Sequence, residues 1–129
     1  MRAFVLIGLG GVLGANARYL VSLWAANRWG VAFPYGTLLI NATGSFLIGF
    51  VLALVAARFG DSAEGRLLLV TGFLGAYTTF STFAFETVAL SRQRDHWPAL
   101  ANLLGSAVLG VGAAVAGILL ATALAGFGR

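Results

Sequence analysis

Residues 67–90 read LLLVTGFLGAYTTFSTFAFETVAL. From Leu67 to Phe85 there is no charge over 19 residues, enough to cross a hydrocarbon core of about 30 Å as a helix. The same stretch places Thr78, Thr79, Ser81 and Thr82 within five positions, interleaved with Phe80 and Phe83. β-Branched and hydroxyl side chains crowd the helical ladder or compete with it, and Gly75 loosens it further, so a helix break at mid-membrane is expected here. Broken backbone at that depth is tolerated only where it is buried in protein or lines a cavity. Carbonyls freed at such a break form a ligand set for a hard cation such as Na⁺. The two phenylalanines have a different use: ring edges are electropositive and can touch a bare anion without gripping it as an arginine would. Taken singly, each is more often simple packing; the combination with serine and threonine inside a membrane span is much rarer.

Working outward, Trp29 to Ala57 is uncharged over 29 residues and Trp97 to Gly128 over 32. A further apolar run from Ala3 to Ala26 is interrupted by Asn16 and Arg18. The chain of 129 residues thus reads as one domain over residues 1–129, all-α and integral to the membrane, with spans at about 3–26, 34–57, 67–90 and 97–126. Composition agrees: 60% of residues are hydrophobic, 9% are charged and the mean hydropathy is +0.94, so most of the surface must face lipid. The run after Met1-Arg2 has some look of a secretory signal, but three further spans and Arg18 argue for a mature first span. Asn27 to Gly30 ends span one, Pro34 starts span two, Arg58 to Arg66 is a polar loop containing Gly60 and Asp61, and Pro98 sits in the first turn of span four.

There is no cysteine, hence neither disulfide nor thiolate metal site. One histidine and four acids cannot assemble a nucleophile, base and orienter, which disfavours an enzyme. The eight basic residues are all arginine, set singly at span ends apart from Arg18; that is interfacial anchoring, not nucleic-acid binding. Arg2, Arg58, Arg66 and Arg129 fall on one side of the membrane, and Arg28, Arg92 and Arg94 on the other. So weak a bias is expected of a protein that inserts in both orientations, although one or two of these residues could instead set a single orientation. Glycines recur as patches: Gly10 and Gly14, Gly44 and Gly49, then Gly105, Gly110, Gly112 and Gly117. Such patches let helices approach closely in lipid. Four helices enclose a polar path with difficulty, so an antiparallel homodimer is expected.

Two other intramembrane polar features stand out. Arg18 is a site candidate by its depth, but a fixed cation would trap an anion, which favours a structural role over a pore role. Thr37, Asn41 and Ser45 recur every four residues and share one helical face about 12 Å long. The Asn41 amide suits a dehydrated anion, and equally suits interhelical hydrogen bonding. Glu86, near the end of span three, is compatible with either an interface or a pore mouth.

At these motifs the sequence resembles the Fluc/CrcB family of fluoride channels, over its full length. The matching segments are GGVLGANARY (10–19), GTLLINATGSFLIG (36–49), GFLGAYTTFSTFAFE (72–86) and a glycine-rich fourth span with Ser106. The resemblance implies a dual-topology homodimer in the inner membrane with two fluoride pathways, passing the anion passively out of the cell and so relieving fluoride toxicity. It implies Phe80 and Phe83 as pathway aromatics, Asn41, Ser81, Thr82 and Ser106 as polar pathway residues, and the backbone carbonyls of Gly75 and Thr78 as holders of a structural Na⁺ at the dimer centre. Asn102, one turn before Ser106, departs from the tyrosine expected there and is left without a role. A small multidrug carrier would need a carboxylate deep in a span, and spans one, two and four have none. A non-transporting membrane subunit explains the glycines but not the Thr/Ser/Phe string.

Overall fold

The computed structural model describes residues 1–58 and 63–126, of which Ala57 and Arg58 are described in backbone only. Gly60, Asp61 and Arg129, which entered the loop assignment and the charge count, lie outside the described residues. Helix α1 is Arg2–Trp29 and α2 is Tyr35–Arg58. Segment α3 covers residues 63–77, α4 is Phe80–Ser91 and α5 is Trp97–Gly126. Four stretches are long and apolar enough to cross a membrane, α3 and α4 counting together as Ala63–Ser91. The protein is a multi-pass protein of the cell membrane.

The third span breaks where its hydroxyl run predicts. Thr78 (φ −78°, ψ 157°) and Thr79 (φ −150°, ψ 116°) are extended, so two residues leave the helical ladder between α3 and α4. Before the break, Arg66–Leu74 winds as a π-helix, and the Gly75 N–H reaches the carbonyls of both Val70 and Gly72. Nine residues of this wider winding are unusual, since it mostly occurs as single turns near functional sites. Thr79 then caps α4, its hydroxyl accepting from the Thr82 N–H at 3.2 Å.

The break changes what each half of the span packs against. Segment α3 lies on α1, whereas α4 lies on α5, and α2 with α5 forms the other close pair. Glycine makes both tight pairs possible. A Cβ on Gly10 or Gly14 would run into the backbone of Leu68 to Phe73, and one on Gly49 or Gly117 into the backbone of Ala114 or Phe46. Not every glycine is used this way: a Cβ added at Gly105 or Gly112 would meet nothing within 4 Å among the described residues, so no close helix approach requires glycine at these two members of the fourth-span patch. Lipid offers helices no hydrophobic gain from association, so close backbone approach and dispersion carry these pairs.

The two ends of the bundle differ. At one, Trp24, Trp29, Phe33 and Tyr35 form a chain of ring contacts 4.9–5.7 Å apart around the α1–α2 turn, the composition of an interfacial aromatic belt. At the other, Arg2 meets Glu64 through paired contacts of 3.0 and 3.3 Å, holding the start of α1 beside the start of α3. Both side chains are exposed, so this pair contributes at most about 1 kcal/mol.

Gly14→Ala is expected to destabilise the protein by about 1–3 kcal/mol, the usual cost of overpacking against rigid backbone. Gly8→Ala, in the helix interior with open space around an added Cβ, is expected to cost nothing and to raise stability by up to about 1 kcal/mol. Thermal unfolding of the two variants in detergent checks the contrast.

Candidate functional site

The break is held by one side chain. Asn41, on α2, donates from Nδ2 to the Thr79 carbonyl at 2.9 Å and accepts the Thr79 N–H on Oδ1 at 2.8 Å. The two peptide groups that flank the Thr79 Cα thereby find an acceptor and a donor in one amide of matching polarity, which hydrocarbon could not supply. One N–H of the Asn41 amide is left over after these bonds. The residue is therefore a brace for the broken backbone as well as a donor beside it.

Neighbouring groups lock the same region. Thr43 donates to the carbonyls of Leu39 and Ile40 at 2.7 and 3.2 Å. Its proton being committed, the buried Tyr77 hydroxyl donates to Thr43 at 2.9 Å. Thr78 turns its hydroxyl back onto the Leu74 carbonyl at 2.9 Å, and its methyl fills the space over Gly44. Because Asn41 takes the Thr79 N–H, that donor does not return to Gly75, whose carbonyl belongs to the unpaired end of α3.

Beside the break opens a groove of about 630 Å³. Helix α2 contributes Asn41 and Ser45, the end of α3 contributes Gly75, the break contributes Thr78 and Thr79, α4 contributes Phe80 and Phe83, and α5 contributes Ser106. Phe80 and Phe83 are tilted at 53° with centroids 5.6 Å apart. Phe80 is 79% exposed in the single chain, a large apolar face for something to cover. Among mainly apolar walls that include Ile48, Leu74 and Leu103, these side chains bring hydroxyls, an amide and two aromatic rings, and no formally charged side chain lines the groove.

The remaining sequence candidates lie elsewhere. Ser81 and Thr82 do not line the groove; they cluster with the Thr79 hydroxyl at 3.4 and 3.0 Å. Arg18 is partly buried on α1, away from the groove, and forms no hydrogen bond or ion pair among the described residues. Glu86 accepts from Thr37 at 2.9 Å, while its Oε2 is buried and without a partner among the described residues. The stripe Thr37, Asn41, Ser45 thus holds together as one face of α2 directed at the third span and the groove, with Thr37 tied to Glu86 and Asn41 to Thr79. Fully buried Asn102 joins α5 to α4 by donating to Thr87 at 2.9 Å. No motif in the sequence marks Thr87; its hydroxyl bonds the carbonyl of Phe83, four residues earlier, at 2.8 Å.

Asn41→Leu leaves the Thr79 N–H unpaired and takes from the Thr79 carbonyl a donor additional to the first bond of α4, with an expected loss of about 1–3 kcal/mol. Asn41→Asp keeps an acceptor for the Thr79 N–H but sets a carboxylate oxygen against the Thr79 carbonyl inside the span, and loses at least as much. Unfolding midpoints in detergent provide the comparison.

Residues 5–118 match the family described as CrcB-like protein, Camphor Resistance (CrcB). A relative from Roseiflexus sp. (strain RS-1), named "Fluoride-specific ion channel FluC", is 48% identical over 120 residues, covering 89% of this chain and 97% of the relative. One of the same name from Rhizobium meliloti (strain 1021) is 45% identical over 124 residues, covering 96% and 99%. Another from Solibacter usitatus (strain Ellin6076) is 47% identical over 118 residues, covering 92% and 97%. With identity of this order along nearly the whole of each chain, and with the family match running through all four spans, the chain belongs to the CrcB-like family.

Proposed function

We propose that the chain is a fluoride-selective ion channel, passing cytoplasmic fluoride outward down its electrochemical gradient. Fluoride channels among its relatives support the substrate. The observation that carries the mechanism is the groove, where neutral groups converge and no fixed cation waits to trap an anion. An ion entering it exchanges water for the spare Asn41 N–H, the hydroxyls of Ser45 and Ser106, and the edges of Phe80 and Phe83. Ser81 and Thr82, at the exposed start of α4, extend this polar surface beyond the groove. Fluoride is small and strongly hydrated, so strong donors in a narrow path favour it over chloride.

A single chain leaves the groove open at Phe80, which supports assembly as a homodimer that closes it. The near-balanced arginines support an antiparallel arrangement, and two copies bring two pathways. A structural Na⁺ at the dimer centre fits the residues present: Gly75 and Thr78 line the groove at the break, and unwound backbone carbonyls are hard oxygen ligands suited to sodium. Their carbonyls would hold the ion, with the second copy completing its shell, and its charge would offset the converging carbonyl dipoles. Relief of fluoride toxicity follows from passive exit. Hydrofluoric acid enters a cell neutral and ionises inside, so the anion needs a path out and no ATP.

Purified protein in liposomes is expected to release fluoride rapidly while retaining chloride. Equal release of both, or of neither, counts against the proposal. Phe80→Ile is expected to slow fluoride release about three- to tenfold, the scale of one aromatic edge contact, with the assembly unchanged by size-exclusion chromatography.

A further inference from the structure

Four groups on α4 and α5 form a hydrogen-bond chain whose direction is fixed from one end. The Phe83 carbonyl can only accept, so the Thr87 hydroxyl gives it its single proton at 2.8 Å. Thr87 Oγ1 is then an acceptor toward Asn102, so the Asn102 nitrogen, and not its oxygen, faces Thr87 at 2.9 Å. Asn102 is fully buried, and this leaves its Oδ1 turned toward Ser106, one helical turn further along α5. Ser106 donates to it at 3.5 Å, a long bond and hence a weak one. Ser106 lines the groove, whereas Asn102 and Thr87 do not.

We infer that Asn102 is a positioning residue for anion selectivity, parking the Ser106 proton away from the groove until an ion strong enough to take it arrives. The inference rests on the channel reading above. At rest the Ser106 hydroxyl turns its lone pairs to the groove, which repels anions weakly. To donate, it must give up the Asn102 oxygen, and the passing ion must be the better acceptor. Fluoride, the strongest hydrogen-bond acceptor among the halides, makes that exchange more readily than chloride. The orientation of Asn102 is held by Thr87, so two residues outside the groove set the behaviour of one inside it.

The direct variant, Asn102→Leu, strips partners from a buried site and risks misfolding. Thr87→Val is nearly isosteric, lies outside the groove, and removes the anchor together with the bond that the hydroxyl gives the Phe83 carbonyl. Without that anchor the Asn102 amide is free to turn its nitrogen to Ser106, which sends the Ser106 proton into the groove for any anion. Fluoride and chloride efflux from liposomes is measured for the parent, Thr87→Val, Ser106→Ala and the double variant. The expected result is a fluoride-over-chloride ratio lowered roughly three- to tenfold in Thr87→Val, the scale of one hydrogen bond, mainly through faster chloride release. In the Ser106→Ala background the same substitution changes the ratio by less than about twofold, because the group it acts through is gone.

An unchanged ratio in Thr87→Val overturns the inference while leaving the channel reading intact. So does an equal fall in both fluxes, or an effect undiminished in the Ser106→Ala background, since each indicates a role in packing alone. A parent protein that releases no fluoride overturns both readings together.

Discussion

A peptide group that leaves its helix inside a bilayer has no water to bond, and each group left unpaired costs several kcal/mol. At Thr79 the chain answers that cost with one side chain, the Asn41 amide, which meets the N–H and the carbonyl together. The rest of the site follows from this pairing. With Thr79 extended and anchored to α2, its hydroxyl is placed to cap α4, and the Gly75 carbonyl loses its helical donor. The chain can also change direction between α3 and α4. Phe80, the first residue of α4, comes to the groove wall because the helix restarts there.

The broken span succeeds because its two halves have separate supports. Segment α3 is clamped to α1 through Gly10, Gly14 and Gly72, where added side-chain atoms would strike backbone. Helix α4 leans on α5, with hydrogen bonds from Thr37 to Glu86 and from Asn102 to Thr87 joining it to both neighbours. The α2–α5 pair, tightened at Gly49 and Gly117, forms the wall behind the groove. Rigid pairs on either side of an irregular segment are what keeps a polar opening from collapsing in a membrane, where no hydrophobic force acts between helices.

Charge is handled by exclusion. Arg18 and Glu86, two charged residues of the spans, both stand away from the groove lining. A lone arginine in a low-dielectric path would bind an anion too strongly to release it, and a carboxylate would repel it. The proposed conduction relies instead on dipoles: hydroxyls, one amide N–H and ring edges, each weak enough to be left behind. In such a site the direction in which a hydroxyl points matters as much as its presence, which is why the Phe83, Thr87, Asn102 and Ser106 chain carries functional weight.

Much of this was legible in the residues themselves. Uncharged runs of membrane-spanning length gave the four spans, because a bilayer imposes its thickness on any sequence that crosses it. The hydroxyl run at 78–82 marked the break, since the same side chains that crowd a helix also stabilise its interruption, and the spacing of Thr37, Asn41 and Ser45 marked a polar face. What those polar groups bond to was not legible. Asn41 and Thr79 are distant in the chain, as are Thr37 and Glu86, and no local pattern encodes which hydroxyl meets which carbonyl across two helices. The same holds for Gly105 and Gly112, which look identical in sequence to the glycines that pack but face open space. Periodicity assigns a residue to a face. Only the packing of the helices decides what stands opposite it, and in lipid that partner determines whether a polar group is brace, ligand or spectator.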